Sequence, residues 1–188
     1  ITTGGKLKDF ALTEHWPLVL LDNKLNPSHV PRLGLGLMLG ATFGLFVRTN
    51  PEAYRYVDPK EITRIIDRGL EGLGQSLPSE SNPAKALAQK NKGQSLILFS
   101  ANHLDGVAKA AANFLNESAK TFSTSFNIPD LNHYLLEGLT FPTQLKDNTR
   151  FILLDSALYP EVIQKRFNLT KEMLVKQKYQ LTVIKPEA

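Results

Sequence analysis

The sequence predicts an α/β fold in three layers, a mainly parallel sheet flanked by helices. Three observations predict it. Short apolar runs of strand length recur along the chain, stretches with helical spacing lie between them, and the 188 residues have an ordinary globular balance, 42% hydrophobic and 21% charged. A chain of this size buries a real core without covalent staples.

The first strand signal is PLVLL at 17–21, an apolar run fit for a buried parallel strand. Leu33–Val47 follows as LGLGLMLGATFGLFV. Its fifteen residues, bounded by Arg32 and Arg48, are too few for a membrane span, and Gly36, Gly40 and Gly44 recur every four residues. A buried helix with a tight helix–helix contact is expected there. Pro59-Lys60-Glu61 opens another helix, with Ile62, Ile65, Ile66 and Leu70 on one face. The polar stretch 76–94, rich in Pro, Ser and Asn, reads as a surface loop or linker.

Further strands are expected at 95–101 (SLILFSA), 150–155 (RFILLD) and 179–184 (YQLTVI). Leu104, Val107, Ala108, Ala111, Phe114, Leu115, Ala119 and Phe122 form a helical stripe after the first of these. Leu131, Leu135, Leu136 and Leu139 mark a short helix, and Asn168-Leu169-Thr170-Lys171 reads as the cap of a last helix running through Val175.

Composition removes several function classes. There is no cysteine, so neither a disulfide framework nor a thiolate metal site can form, which is compatible with a reducing cytoplasm. The net charge of +4 is spread without a run of five or six basic residues, so no nucleic-acid partner is expected, and no membrane partner either. His15, His29, His103 and His133 are scattered and no HExxH occurs, so no metal is expected. No P-loop and no GxSxG is present, and NES and NLT match glycosylation sequons without other secretory signs. The chain opens ITTGGKL without Met and closes VIKPEA, so both ends read as cuts through a longer protein.

In open α/β sheets ligands gather beyond the carboxyl ends of the strands. Thr2-Thr3-Gly4-Gly5 and Ser100-Ala101-Asn102-His103 have that address, the first as a strand–helix turn whose backbone N–H groups could hold an anion, though plain turn chemistry accounts for it as well. Glu117 lies beside Asn113, Asn116 and Lys120, where a solvated carboxylate accounts for it as well as chemistry does. His133 follows Pro129-Asp130-Leu131-Asn132, where Asp130 or Asn132 could simply cap a helix. Arg32 opens a glycine-rich helix and could be an ordinary ion-pair partner.

Taken in order, ITTGGKL, PLVLLD, PRLGLG, LNESAK and IPDLNHYLLEGL resemble the bifunctional phosphoglucose/phosphomannose isomerases of the sugar isomerase (SIS) superfamily. Each motif is modest; their order, with sixteen residues from Glu117 to His133, is more specific. The resemblance implies an SIS-type fold, with residues 1–75 the end of a first SIS domain plus connecting helices, 76–94 a linker, and 95–188 most of a second domain. It implies interconversion of glucose or mannose 6-phosphate and fructose 6-phosphate through a cis-enediol, by a cytoplasmic homodimer without a cofactor. This chain would then be a C-terminal fragment, expected to be inactive alone, because the Ser/Thr loops for the substrate phosphate belong upstream of Thr2 and a lysine segment beyond Ala188.

By the same resemblance Glu117 matches the base that moves a proton between C1 and C2. His133 matches the histidine that assists ring opening, reaching the site from the neighbouring subunit, and Arg32 the arginine facing the enediolate. Thr3, Gly4, Gly5 and Ser100 are the candidate substrate contacts. Asp130 and Tyr134 depart from the usual Glu-x-Asn-His-Asn-Glu pattern. The alternative is a non-catalytic SIS module that binds a phosphosugar or mediates dimerisation.

Overall fold

Two compact units, Ile1–Leu77 and Pro78–Ala188, divide the chain. The computed structural model describes residues 1–56 and 58–185, so residues 186–188, part of the closing segment read above as a cut, lie outside it.

The first unit is helical. It holds α1 (Gly5–Thr13), α2 (Leu35–Thr49) and α3 (Pro59–Leu73), with short 3-10 turns at Asn23–Leu25, Pro31–Gly34 and Pro51–Arg55. The strand expected at 17–21 does not form. Leu20 makes a single parallel bridge to Thr2, through Thr2 N–H to Val19 O at 3.1 Å and Leu21 N–H to Thr2 O at 2.9 Å. A strand needs a ladder of partners for its backbone, and among the described residues Thr2 is the one offered here.

The glycine-rich helix forms as expected but is not buried. Val47 is its one buried residue, Leu39 and Phe46 are exposed, and a Cβ built at Gly36, Gly40 or Gly44 would meet nothing within 4 Å. Among the described residues of this unit, nothing covers that face. In α3, Asp58 caps the N-terminus by accepting from Lys60 N–H at 2.9 Å, and the isoleucine stripe also faces solvent.

The second unit carries the sheet. Its elements are α4 (Pro83–Lys90), β1 (Ser95–Ser100), α5 (Asp105–Glu117), β2 (Ser123–Asn127), α6 (Leu131–Gly138), α7 (Leu145–Asn148), β3 (Thr149–Leu154), α8 (Glu161–Lys176) and β4 (Gln180–Ile184). All three pairings are parallel and the strand order is β2-β1-β3-β4.

Alternation along the strands divides the core between two faces. Phe99, Phe151 and Leu153 point to one, where they pack with Leu131 and Leu136 of α6 and with Ile163, Phe167 and Leu174 of α8. Leu96, Leu98 and Ile152 point to the other, under Ala108 and Ala112 of α5, whose small side chains let that helix lie close.

Four local expectations are corrected. Residues 76–94 are not loop throughout: Asn82, almost fully buried, accepts from Ala84 N–H at 3.0 Å and Lys85 N–H at 3.1 Å, and so starts α4. The stripe through Phe122 ends early, because α5 stops at Glu117 and Phe122 is exposed. The strand β2 was not expected, since SerThrSerPheAsn carries no apolar run and sits at the sheet edge. Finally, Asn168–Lys171 lies inside α8, which begins after Pro160; the Thr170 hydroxyl bonds back to Arg166 O at 2.8 Å instead of capping.

Tyr159 ties the ends of β1 and β3 together. Its hydroxyl donates to Leu154 O at 2.7 Å and accepts from Ala101 N–H at 3.2 Å. Burial pushes this phenol above its ordinary value of 10.0; the Ala101 bond opposes the rise, while Asp105 and Asp155 add to it. Tyr179, which donates to Leu139 O at 2.7 Å, is raised by burial as well.

Both phenols therefore hold their protons longer folded than unfolded. Their contribution is fully present below pH 10.0 and is lost as pH rises beyond it, because the unfolded chain ionises first. Urea midpoints measured between pH 8 and 11 should fall with a steeper slope in the wild type than in Tyr159→Phe. Parallel slopes would remove Tyr159 from the alkaline transition.

Candidate functional site

The sequence candidates fall in both units, and each is built by its own local structure. In the first unit, Thr2 Oγ1 donates to Gly4 O at 2.9 Å and accepts from Gly4 N–H at 3.2 Å, closing the turn before α1. Gly4 and Gly5 have φ of +142° and +66°, a region that L side chains rarely adopt, so glycine is required there by backbone conformation. Thr3 lines a cleft of about 480 Å3 together with Asp22, Asn26, His29 and Pro31.

Arg32 is half-buried on the adjoining 3-10 turn. The residue two along, Gly34, is buried, and a Cβ there would come within 3.3 Å of Asn26 Nδ2. The Pro-Arg-Leu-Gly turn is thus shaped by a close approach at glycine.

In the second unit Glu117 is the last residue of α5 and is exposed. The neighbouring Asn116 is the clamp that holds this end. Its Nδ2 donates to Ala112 O at 2.8 Å and to Ser123 O at 2.7 Å, while its Oδ1 accepts from Ser123 N–H at 3.1 Å. Lys120 Nζ donates to the Glu117 carbonyl at 2.7 Å.

A carboxylate at the C-terminal end of a helix opposes the helix dipole, at a cost of roughly 0.3–1 kcal/mol for an exposed site. The lysine suits that position; the glutamate does not. A residue whose charge opposes the local dipole is a functional candidate.

His133 stands in the first turn of α6, exposed, in a cleft of about 500 Å3 lined also by Pro129, Asp130, Asn132, Tyr134 and Arg166. The capping reading fails for both neighbours. Asp130 makes no side-chain cap bond, and Asn132 Nδ2 donates instead to Thr170 Oγ1 of α8 at 2.7 Å. Thr170 is buried and spends its own proton on Arg166 O, so it must accept from Asn132. This relay fastens α6 to α8 and holds His133 and Arg166 in one cleft.

Ser100 ends β1 and is 1% exposed; its Oγ donates to Asp105 Oδ1 at 2.8 Å. It borders a smaller cleft of about 340 Å3 with Asp105, Lys109, Asn127 and Tyr134. Tyr134, one of the two departures noted above, walls both this cleft and that of His133.

The strands set where these groups stand relative to one another. Ser123, clamped to Asn116, pairs with Leu96 at the amino end of β1, whereas Asn127 pairs with Ser100 at its carboxyl end. The four residue steps of β2 alone span about 13 Å. Glu117 therefore lies at the amino end of the sheet, and His133 and Ser100 at the carboxyl end. Within one chain the structure joins His133 to Arg166 and Ser100 to Asp105, but does not bring Glu117 to either.

Arg166 escaped the sequence reading, because a lone arginine inside an amphipathic helix carries no pattern. Asn116 had a signal, its place beside Glu117 in LNESAK, that was not converted into a clamp. Among the described residues no group of three or more His, Asp or Glu is placed to hold a metal ion, and no helix is long and apolar enough to cross a membrane.

Among solved structures, a protein of Salmonella typhimurium LT2 described as sugar binding aligns with a TM-score of 0.41 at 17% identity. That alignment covers 56% of this chain and 30% of the Salmonella chain, so this chain spans under a third of that protein's length. No curated protein matches the sequence. Residues 80–188 match the family model described as the bacterial phospho-glucose isomerase C-terminal SIS domain. The match takes in more than half of the chain, including the whole parallel sheet from β1 to β4, and the chain belongs to that family.

Proposed function

We propose that this chain supplies catalytic groups for the interconversion of hexose 6-phosphates between aldose and ketose, in a homodimer. The observation that carries the reading is the placement of Glu117 and His133 at opposite ends of one sheet, both exposed. A base and a ring-opening acid so placed serve one substrate only if they come from two copies of the chain.

In the proposed reaction the Glu117 carboxylate takes the proton from C2 of the open-chain aldose. The C–H electron pair forms the C1–C2 double bond, and the carbonyl pair moves to O1. Arg32 stabilises the negative charge there as a fixed cation. Returning the proton to C1, while the O2 proton passes to O1 and the O2–H electron pair completes the C2 carbonyl, gives the ketose. Carbon 1 is reduced as carbon 2 is oxidised, so the reaction balances without an external redox partner. His133 exchanges protons with the sugar oxygens during ring opening, for which an imidazole is suited near neutral pH.

The test is turnover of fructose 6-phosphate by the intact protein in deuterium oxide, followed by NMR. Aldose 6-phosphate carrying deuterium at C2 is the expected product, because a carboxylate base exchanges part of its proton with solvent. Absence of turnover would remove the activity. Turnover with no solvent label would replace the enediol route by a hydride shift.

A further inference from the structure

The Arg166 guanidinium has no role in the reaction as described, yet it shares a cleft with His133. We propose that Arg166 is a further catalytic residue, which contacts the sugar oxygens during the ring-opening step at His133. The inference rests on the ring-opening role given to His133 above.

Three observations support it. Arg166 is exposed and has no hydrogen-bond or ion-pair partner for its guanidinium among the described residues. Its backbone is held relative to α6 by the relay from Asn132 Nδ2 to Thr170 Oγ1, at 2.7 Å, and from Thr170 Oγ1 to Arg166 O, at 2.8 Å. The cleft they share, of about 500 Å3, is large enough for a hexose and has polar walls in Asp130, Asn132 and Tyr134.

The chemistry has a place for a fixed cation. As the ring opens, the bond between the anomeric carbon and the ring oxygen breaks, and its electron pair goes to the ring oxygen, which takes up a proton. The anomeric hydroxyl loses its proton, and that O–H electron pair completes the new carbonyl. His133 accepts the second proton and delivers the first, so atoms and charge balance. Negative charge builds on oxygen between the two transfers, and a guanidinium N–H aimed at it stabilises that state more than the closed ring. Asp130, on the same cleft, bears the opposite charge and turns toward the sugar hydroxyls as an acceptor.

The experiment isolates ring opening from proton transfer at carbon. Glu117→Gln in the intact protein has lost the base but keeps the His133 cleft, so it should still speed the exchange between the α and β anomers of glucose 6-phosphate, read by NMR exchange spectroscopy. Adding Arg166→Gln should slow that exchange by about a hundredfold. Arg166→Lys should regain part of it, and Lys165→Gln, exposed on the same helix, should leave it unchanged. Unchanged urea midpoints verify that the variants fold.

If Arg166→Gln and its parent exchange anomers equally fast, Arg166 has no part in ring opening, while the isomerase reading stands. If the Glu117→Gln parent does not speed anomer exchange at all, the role of His133 falls, and that of Arg166 with it.

Discussion

Replacing Glu117 by glutamine should leave a folded protein whose isomerisation of fructose 6-phosphate falls by about three orders of magnitude, within the usual contribution of a general base. The substitution keeps the shape and removes the basic oxygen. Stability should not fall, because Glu117 is exposed at the C-terminus of α5, where a carboxylate opposes the helix dipole. The α5–β2 junction is held by Asn116 and survives the change. A stability loss matching the activity loss would mark Glu117 as structural instead.

The same variant tests the placement of the two groups at opposite ends of the sheet. In the proposed homodimer, pairs of Glu117→Gln and His133→Gln chains should carry one intact site and one doubly altered site. Half of a random mixture is mixed, so activity should recover to about a quarter of wild type, as two-fold symmetry dictates. If each site is built within one chain, mixing restores nothing.

The second large effect is on stability. Phe151→Ala should destabilise the protein by about 3–5 kcal/mol, against a total of roughly 5–15 for a domain. Phe151 is fully buried in β3, between β1 and β4. Its ring lies 5.1 Å from that of Phe99, and 5.1 Å from that of Tyr179 at 88°. The cavity would open between two helices and two aromatic neighbours already tied by hydrogen bonds and strand pairing, so collapse around it is limited. Guanidinium unfolding at fixed pH reads the change directly. A loss below about 1 kcal/mol would show that the core repacks as volume-conserving swaps do, and would contradict the tight packing described here.

The strands at the middle of the sheet were legible because burial on both faces demands continuous apolar runs, and β1 and β3 have them. The strand β2 was not, because an edge strand with half-buried Ser and Thr needs no such run. PLVLL fails in the opposite sense. It has the composition of a buried strand, but composition cannot supply neighbours, and only Thr2 pairs with it among the described residues. For α8, the Asn-Leu-Thr-Lys signal was real chemistry used differently: Thr170 bonds back along its own helix and accepts from Asn132 of α6.

The candidate residues divide in the same way. Glu117, His133 and Arg32 stand out only through the resemblance that the ordered motifs LNESAK, IPDLNH and PRLGLG carry, and their roles are those proposed above. Nothing in the spacing of Glu117 and His133 says which ends of a sheet they occupy. That depends on α5 running back along β1, so that sixteen residues of chain carry the two groups apart. Arg166 joins His133 through packing of α6 on α8, across thirty-odd residues of sequence with no local trace. By itself the sequence determined the fold class, the buried strands and the residue types able to do the chemistry, since these follow from local hydrophobicity and side-chain identity. Only the tertiary structure decided which groups meet and which stand apart, because proximity between distant residues is set by strand order and helix packing.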